Sequence, residues 1–242
     1  MEPLKAWSLA IDTSSRQGSI ALLRGEDIIH STSFGAKSRH GEALAPCAKM
    51  LLQKNQLTPK DIEFISLAIG PGSFTGLRIG IAFAKAFSLV TKANLVGVPS
   101  FLALAEKVRK KLKILDDKII ILMDGRRNRV YGGVYQVSQG QPISPFHSPH
   151  WLASVEKARS LLPQEGIFIG DGISIVAPLP AKARIEGDPE FYFSEAREVG
   201  EMGFRLWKKG KSDLYGVSPL YLMPTEAEEK REKKLSEEKG RL

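Results

Sequence analysis

Residues 67–100 read LAIGPGSFTGLRIGIAFAKAFSLVTKANLVGVPS, and the fold turns on how this stretch is read. The apolar run from Ile62 to Ile69, broken only by Glu63 and Ser66, has the length and composition of a buried strand. Gly70-Pro71-Gly72 ends it sharply. Ser73 is placed to cap a helix, and Phe74 to Thr91 carries the pattern of one. A glycine-rich turn from strand to helix leaves backbone N–H groups free to meet an anion, so Gly70, Gly72 and Ser73 are candidate phosphate contacts. The turn lacks the lysine of a P-loop, and a tight turn that binds nothing is the competing reading.

Within the helix, Gly76, Gly80, Ala84 and Ser88 recur every four residues and form one smooth stripe. Two interior glycines cost a helix roughly 1 kcal/mol each against alanine. Such a cost is tolerated where another backbone comes close, and that backbone belongs either to this chain or to a second one. Leu77, Ile81 and Leu89 are expected on the core face.

Working outward, the chain opens with three strands in a meander: Trp7 to Asp12, Gly18 to Leu23 and Ile28 to Phe34. Asp12 is followed at the first turn by Thr13, Ser14 and Ser15, where a carboxylate and hydroxyls either hold a metal–phosphate group or satisfy turn backbone. A helix is expected over Arg39 to Asn55, disturbed at Pro46. His40 and Glu42 at its start could do acid–base work, or simply mark a helix start. After the glycine-striped helix come a strand (Asn94 to Val98) and a helix (Pro99 to Leu112). The opening layout then recurs. Lys118 to Asp124 is an apolar strand ending in aspartate, Gly125 to Asn128 a polar turn, and Arg129 to Val137 a return strand. Gln141 to His150 reads as a proline-rich loop, Trp151 to Leu162 as a helix and Gly166 to Ile169 as a strand before Gly170-Asp171-Gly172. Ser194 to Lys209 reads as a helix and Val217 to Leu222 as an extended segment.

Two similar α/β lobes in one chain suggest an actin-like (ASKHA) duplicated fold, with mixed sheets each led by a β-hairpin. The expected boundaries are 1–98, a shorter lobe at 99–224, and a charged tail, mobile or frayed, at 225–242. The 242 residues suffice for this, and 43% hydrophobic with 26% charged residues is a globular balance. No membrane span and no signal peptide are expected, and one cysteine, Cys47, suits a reducing, cytoplasmic setting. His147 and His150 stand three apart, but no metal site is expected. The net charge of +8 is concentrated at Lys107, Arg109, Lys110, Lys111 and Lys113, then Arg126, Arg127 and Arg129. That basic middle suits RNA, an acidic partner, or plain solvation.

LAIDTSSRQGSIAL, SRHGEALAP, GPGSFTGLRIGIAFAKAFSLV, MDGRRNRVYGGVY, GDG and PLYL, in this order, resemble the TsaB (YeaZ) family over most of Trp7 to Pro224. The resemblance implies the actin-like fold and a part in tRNA modification. There, TsaD is the catalytic relative and TsaE an ATPase, and together they make N6-threonylcarbamoyladenosine in tRNAs reading codons that begin with A. It implies a binding and activating subunit rather than an enzyme. Where the catalytic relative carries two metal-ligand histidines, this sequence has Ser100 and Leu104, which cannot ligate in their place. No tightly bound cofactor is implied, with ATP or ADP admitted at the junction with the partner. Any phosphate contacts of its own would be weak ones at Asp12, Thr13, Gly70, Gly72 and Ser73.

The implied interface is a helix bundle with TsaD, formed by Arg39, His40, Ala43, Cys47, Gly76, Gly80, Phe83, Ala84, Phe87 and Ser88. A homodimer through the same helices is expected in isolation, and tRNA contact within the complex. On this reading Gly80→Leu abolishes partner binding and leaves the fold intact. The competing class is an ATP-dependent phosphotransferase or ATPase using Asp12 and the Gly70–Ser73 turn. A metalloprotease is disfavoured by the lack of HExxH.

Overall fold

Two five-stranded mixed sheets repeat one plan in a computed structural model that describes residues 5–35, 40–139, 144–213 and 216–222. The first sheet has the order β3-β2-β1-β4-β5. Its strands are β1 (Trp7–Asp12), β2 (Gly18–Arg24), β3 (Asp27–Phe34), β4 (Phe64–Gly70) and β5 (Asn94–Pro99). β1 and β2 pair antiparallel from Trp7↔Arg24 to Asp12↔Ser19, while β4 runs parallel to both β1 and β5. The second sheet has the order β10-β9-β6-β7-β8. It is made of β6 (Asp117–Arg126), β7 (Arg129–Val137), β8 (Ser144–Ser154), β9 (Glu165–Ile169) and β10 (Lys182–Ile185). Again a hairpin leads and parallel strands follow. This is the α/β, two-lobe actin-like fold.

The helices explain the asymmetry between the halves. α1 (His40–Lys54) and α2 (Phe74–Thr91) cover one face of the first sheet. Their counterparts in the second half, α4 (Val155–Leu161) and α5 (Ile173–Val176), are short. α3 (Ser100–Lys111) leaves the first sheet and packs Phe101, Leu104 and Val108 against Ile119, Ile121 and Tyr135 of the second. α6 (Ala196–Lys208) does the reverse, seating Val199, Met202 and Phe204 on Phe64, Ala68 and Val96 of the first. The last described stretch returns too: Val217 enters the first core, and Leu220 N–H donates to the Ile69 carbonyl at 2.7 Å.

Several expectations change. α1 runs on through Pro46, which is exposed. Trp151 to Ser154, expected in a helix, belong to strand β8, which also takes in Ser144 to His150 from the expected loop; Gln141 to Ile143 lie outside the described residues. As an edge strand β8 can hold Pro145 and Pro149, because its outer side needs no ladder donors. Trp151 pairs with Gly132, where a side chain would strike the indole ring at 2.0 Å. β10 was not expected; it is short and mostly exposed at the opposite edge. The tail at 225–242 lies outside the described residues.

Much of the basic cluster on α3 is ion-paired. α3 faces α6, and Lys107, only 6% exposed, pairs with Glu195 at 3.0 Å. Lys110 pairs with Glu201, and Lys111 with Glu190. Glu106 is fully buried, and it is matched by Arg109 at 2.7 Å and Arg205 at 2.8 Å. Lys107 and Lys110 thereby tie α3 to the start and the acidic side of α6, and Lys111 ties it to the turn at Glu190.

Inside the second half, the Tyr135 hydroxyl and His150 Nε2 lie 2.5 Å apart, beside the Phe101 ring. Burial pulls the His150 imidazole down from 6.5 to about 4. The unfolded chain therefore takes up this proton first as pH falls, and stability drops between pH 6.5 and about 4. Glu198 works the other way: burial lifts its carboxyl to about 7. A comparison with His150→Phe isolates the histidine. In urea melts at pH 7 and pH 4.5 the wild type should lose more stability than the variant, by up to about 3 kcal/mol. Equal losses would show that His150 is not held neutral.

Candidate functional site

The turn after β1, the Gly70–Ser73 loop and the start of α2 do meet, as the sequence suggests. What they leave for a phosphate is little. Asp12 is 1% exposed. Its Oδ1 accepts the Ser14 amide (2.8 Å) and hydroxyl (2.6 Å), and its Oδ2 accepts the Ser194 hydroxyl at 2.5 Å. Burial pushes this carboxyl up, against the downward pull of those hydrogen bonds. The Thr13 hydroxyl donates to the Gly76 carbonyl at 2.8 Å. The Ser73 N–H, an amide an anion would need, donates instead to the Ser14 carbonyl at 2.6 Å. Ser73 Oγ, in turn, caps the helix by accepting from Gly76 N–H at 3.2 Å.

Space is spent in the same way. A Cβ at Gly72 would lie 2.4 Å from the Ser14 carbonyl oxygen, and Gly70 sits against Leu77 and the Leu220 carbonyl. In the second half, Asp171 accepts from the Asp124 amide at 3.0 Å, and Gly170 lies flat on Leu122. Asp12, Thr13 and the Ser73 amide are thus engaged by groups of this chain's own fold.

The glycine stripe also faces inward. A Cβ on Gly76 would stand 1.9 Å from the Thr13 carbonyl oxygen, and one on Gly80 would stand 2.4 Å from Thr13 Oγ1. Ala84 and Ser88 are buried, and Ser88 donates to the Ala93 carbonyl at 2.7 Å. The close backbone is therefore this chain's own β1 turn. Gly76, Gly80, Ala84 and Ser88 cannot be interface residues, and the sequence expectation for them is corrected. Leu77 and Ile81 join the core, whereas Leu89, also expected there, is 58% exposed.

The other side of α2 is apolar and uncovered. Phe74, Ala82, Ala86, Leu89 and Val90 are exposed, Val90 at 77%. Half-buried Phe83 and Phe87 pack 6.0 Å apart in the region shared with Ala43 and Cys47 of α1. Met50 of α1 is exposed as well. Among the described helices α2 alone has the length and hydropathy of a membrane span (18 residues, mean hydropathy 1.3), more than the sequence reading allowed. Its buried stripe makes it a core helix with an apolar outer face. His40 packs edge-on against Phe34, with ring centroids 5.8 Å apart, and beside Gly18, so it serves as a packing group at the start of α1. Arg39 lies outside the described residues.

Comparison with known proteins adds the family. A model of the TsaD family, described as tRNA N6-adenosine threonylcarbamoyltransferase, matches residues 32–143. The tRNA threonylcarbamoyladenosine biosynthesis protein TsaB of Bacillus subtilis is 32% identical over 234 residues, covering 92% of this chain and 96% of that protein. The chain belongs to the TsaB family. The Escherichia coli TsaB is 28% identical, over 88% of this chain and 93% of its own length. YeaZ from Pseudomonas aeruginosa shares the fold, with a TM-score of 0.77 at 23% identity, over 90% of this chain and all of that one.

As a TsaB-family protein the chain has a place in tRNA threonylcarbamoyladenosine biosynthesis. Ser100 and Leu104, which the sequence resemblance set against metal-ligand histidines, are 2% and 1% exposed. Leu104 is packed in the α3 core. Among the described residues no group of three His, Cys, Asp or Glu side chains converges to hold a metal. The sequence placed Ser14 beside Asp12 but gave no sign of Ser194, which completes the Asp12 lock, or of the pairing of Arg78 with Tyr221 by a hydrogen bond of 2.9 Å. Only PLYL hinted at Tyr221; nothing local tied it to Arg78.

Proposed function

We propose that this chain is a non-catalytic, activating partner of a TsaD-type threonylcarbamoyltransferase that forms N6-threonylcarbamoyladenosine in tRNAs reading codons beginning with A. One observation carries the reading. The outer faces of α1 and α2 carry exposed apolar side chains, Met50, Ala82, Ala86, Leu89 and Val90, with Ala43, Cys47, Phe83 and Phe87 half-buried in the same region. Exposed apolar side chains gathered along one helix face mark a surface for association. The same face would hold two copies together when the chain is alone, and TsaE would join through the assembled complex. The setting is the cytoplasm.

The phosphotransferase reading lacks support from the geometry, because Asp12 and the Ser73 amide are already engaged. Calorimetry with ATP and magnesium should give no binding by the isolated chain, and no phosphate release. Micromolar binding with turnover would favour that reading instead. Any nucleotide in the assembly would then sit at the junction with the partner. Contact with tRNA by the basic middle, Lys107 to Arg129, belongs to the same reading.

A further inference from the structure

Arg78 stands exposed on the outer face of α2, and its position is fixed by two aromatic rings. Its guanidinium carbon lies 3.8 Å from the centroid of the Phe74 ring and 5.9 Å from that of Tyr221. Its Nε donates to the Tyr221 hydroxyl at 2.9 Å, and the two rings are 5.0 Å apart. Phe74 and Tyr221 are each 44% exposed, although both are large and partly apolar. Tyr221 is itself held, because its neighbour Leu220 is bonded to Ile69 at the end of β4 and Val217 lies in the core.

An arginine at a surface ordinarily loses rotamer freedom when a partner orders it. Here that ordering exists beforehand, through a cation–π contact and a hydrogen bond. The Nη1 and Nη2 groups point to no acceptor among the described residues, so one end of the guanidinium fork is left for a ligand. An end-on fork suits a carboxylate or a phosphate oxygen pair.

The surroundings favour the carboxylate of a protein. Arg78, Ala82 and Ala86 follow one another at four-residue spacing along the exposed side, and Leu89 and Val90 continue it. An RNA face would instead bring further cations and an aromatic ring open for stacking, and here the guanidinium already lies over the Phe74 ring. Arginine, tyrosine and large apolar groups in one cluster are the types that dominate protein interfaces.

We propose that Arg78, stacked on Phe74 and hydrogen-bonded to Tyr221, is the charged anchor of the α1/α2 docking face and pairs with a carboxylate on the threonylcarbamoyltransferase partner. The C-terminal segment at 216–222 thereby becomes a third element of that face. This rests on the docking reading given above and adds the chemistry of one contact to it.

The test is calorimetric titration of the purified partner with the full chain, at low and high salt, with thermal melts of every variant. Arg78→Ala should weaken binding roughly tenfold or more and flatten its salt dependence, with the melt unchanged. Arg78→Lys should recover little of the loss, because a point charge lacks the fork. Tyr221→Ala should weaken binding as well, and Tyr221→Phe less so. Binding of Arg78→Ala within twofold of wild type, alongside clear wild-type binding, would overturn the anchor and leave the docking face standing. Loss of tRNA binding with partner binding intact would also overturn it, in favour of a phosphate. No binding by the wild type would remove the docking face itself, and the anchor with it.

Discussion

Gly80→Leu is expected to destabilise the chain strongly, whatever partner is present. The position has no room for a side chain: the first added carbon would fall 2.4 Å from Thr13 Oγ1 and 3.6 Å from Ile11. Thr13 cannot turn away at low cost, since its hydroxyl is bonded to the Gly76 carbonyl across the same gap. Three further carbons must push α2 off β1 and open the core around Ile11, Ile81 and Ala84. Overpacking of this kind costs about 3 kcal/mol, which in a chain of this size lowers the melting temperature by roughly 10 °C. Gly76→Ala should behave similarly, because its Cβ would meet the Thr13 backbone carbonyl, which has nowhere to go. Gly41→Ala in α1 is the control. Nothing lies within 4 Å of its Cβ, and the helix gains intrinsic propensity, so its melt should match wild type or exceed it. Thermal melts followed by circular dichroism decide the matter. A Gly80→Leu chain melting like wild type would mean that the stripe does not face β1.

The second large effect concerns the opposite side of the same helix. Ala86 and Leu89 are exposed, and glutamate is a good helix former, so Ala86→Glu with Leu89→Glu should leave the melt within a degree or two of wild type. Burying those two carboxylates in an apolar contact would cost several kcal/mol, enough to weaken partner binding by roughly a hundredfold or more. Pull-down and calorimetry with the threonylcarbamoyltransferase should show a folded chain that no longer binds. The two experiments thus separate the faces of α2, the glycine face governing folding and the apolar face governing association.

Much of this was written locally in the sequence. The Ile62 to Thr91 stretch gave a strand, a turn and a helix bounded at Phe74 and Thr91, because Gly70-Pro71-Gly72 and Ser73 act on their immediate neighbours. The repeated hairpin was legible from the apolar runs that end in Asp12 and Asp124. The direction of the glycine stripe was not. Periodicity shows that four small residues share a face but not what lies against it, and here that was Thr13, sixty-three positions away from Gly76. The same holds for Asp12, whose oxygens are claimed by Ser194 from the far end of the chain. Lys107 and its neighbours looked like a basic face because their acidic partners Glu195 and Glu201 lie in another helix. Edge strand β8 was hidden by prolines that only its outer position makes harmless.

A reconstituted tRNA assay puts the whole reading at risk in one step. Threonylcarbamoyladenosine formation by the partner proteins is measured without this chain, with the wild type, and with the Ala86→Glu, Leu89→Glu chain. The rate should rise with the wild type and stay at the level without it when the folded double variant is added. Full activity with the variant, or modification by this chain unaided, would contradict an account in which it works only by docking through α1 and α2.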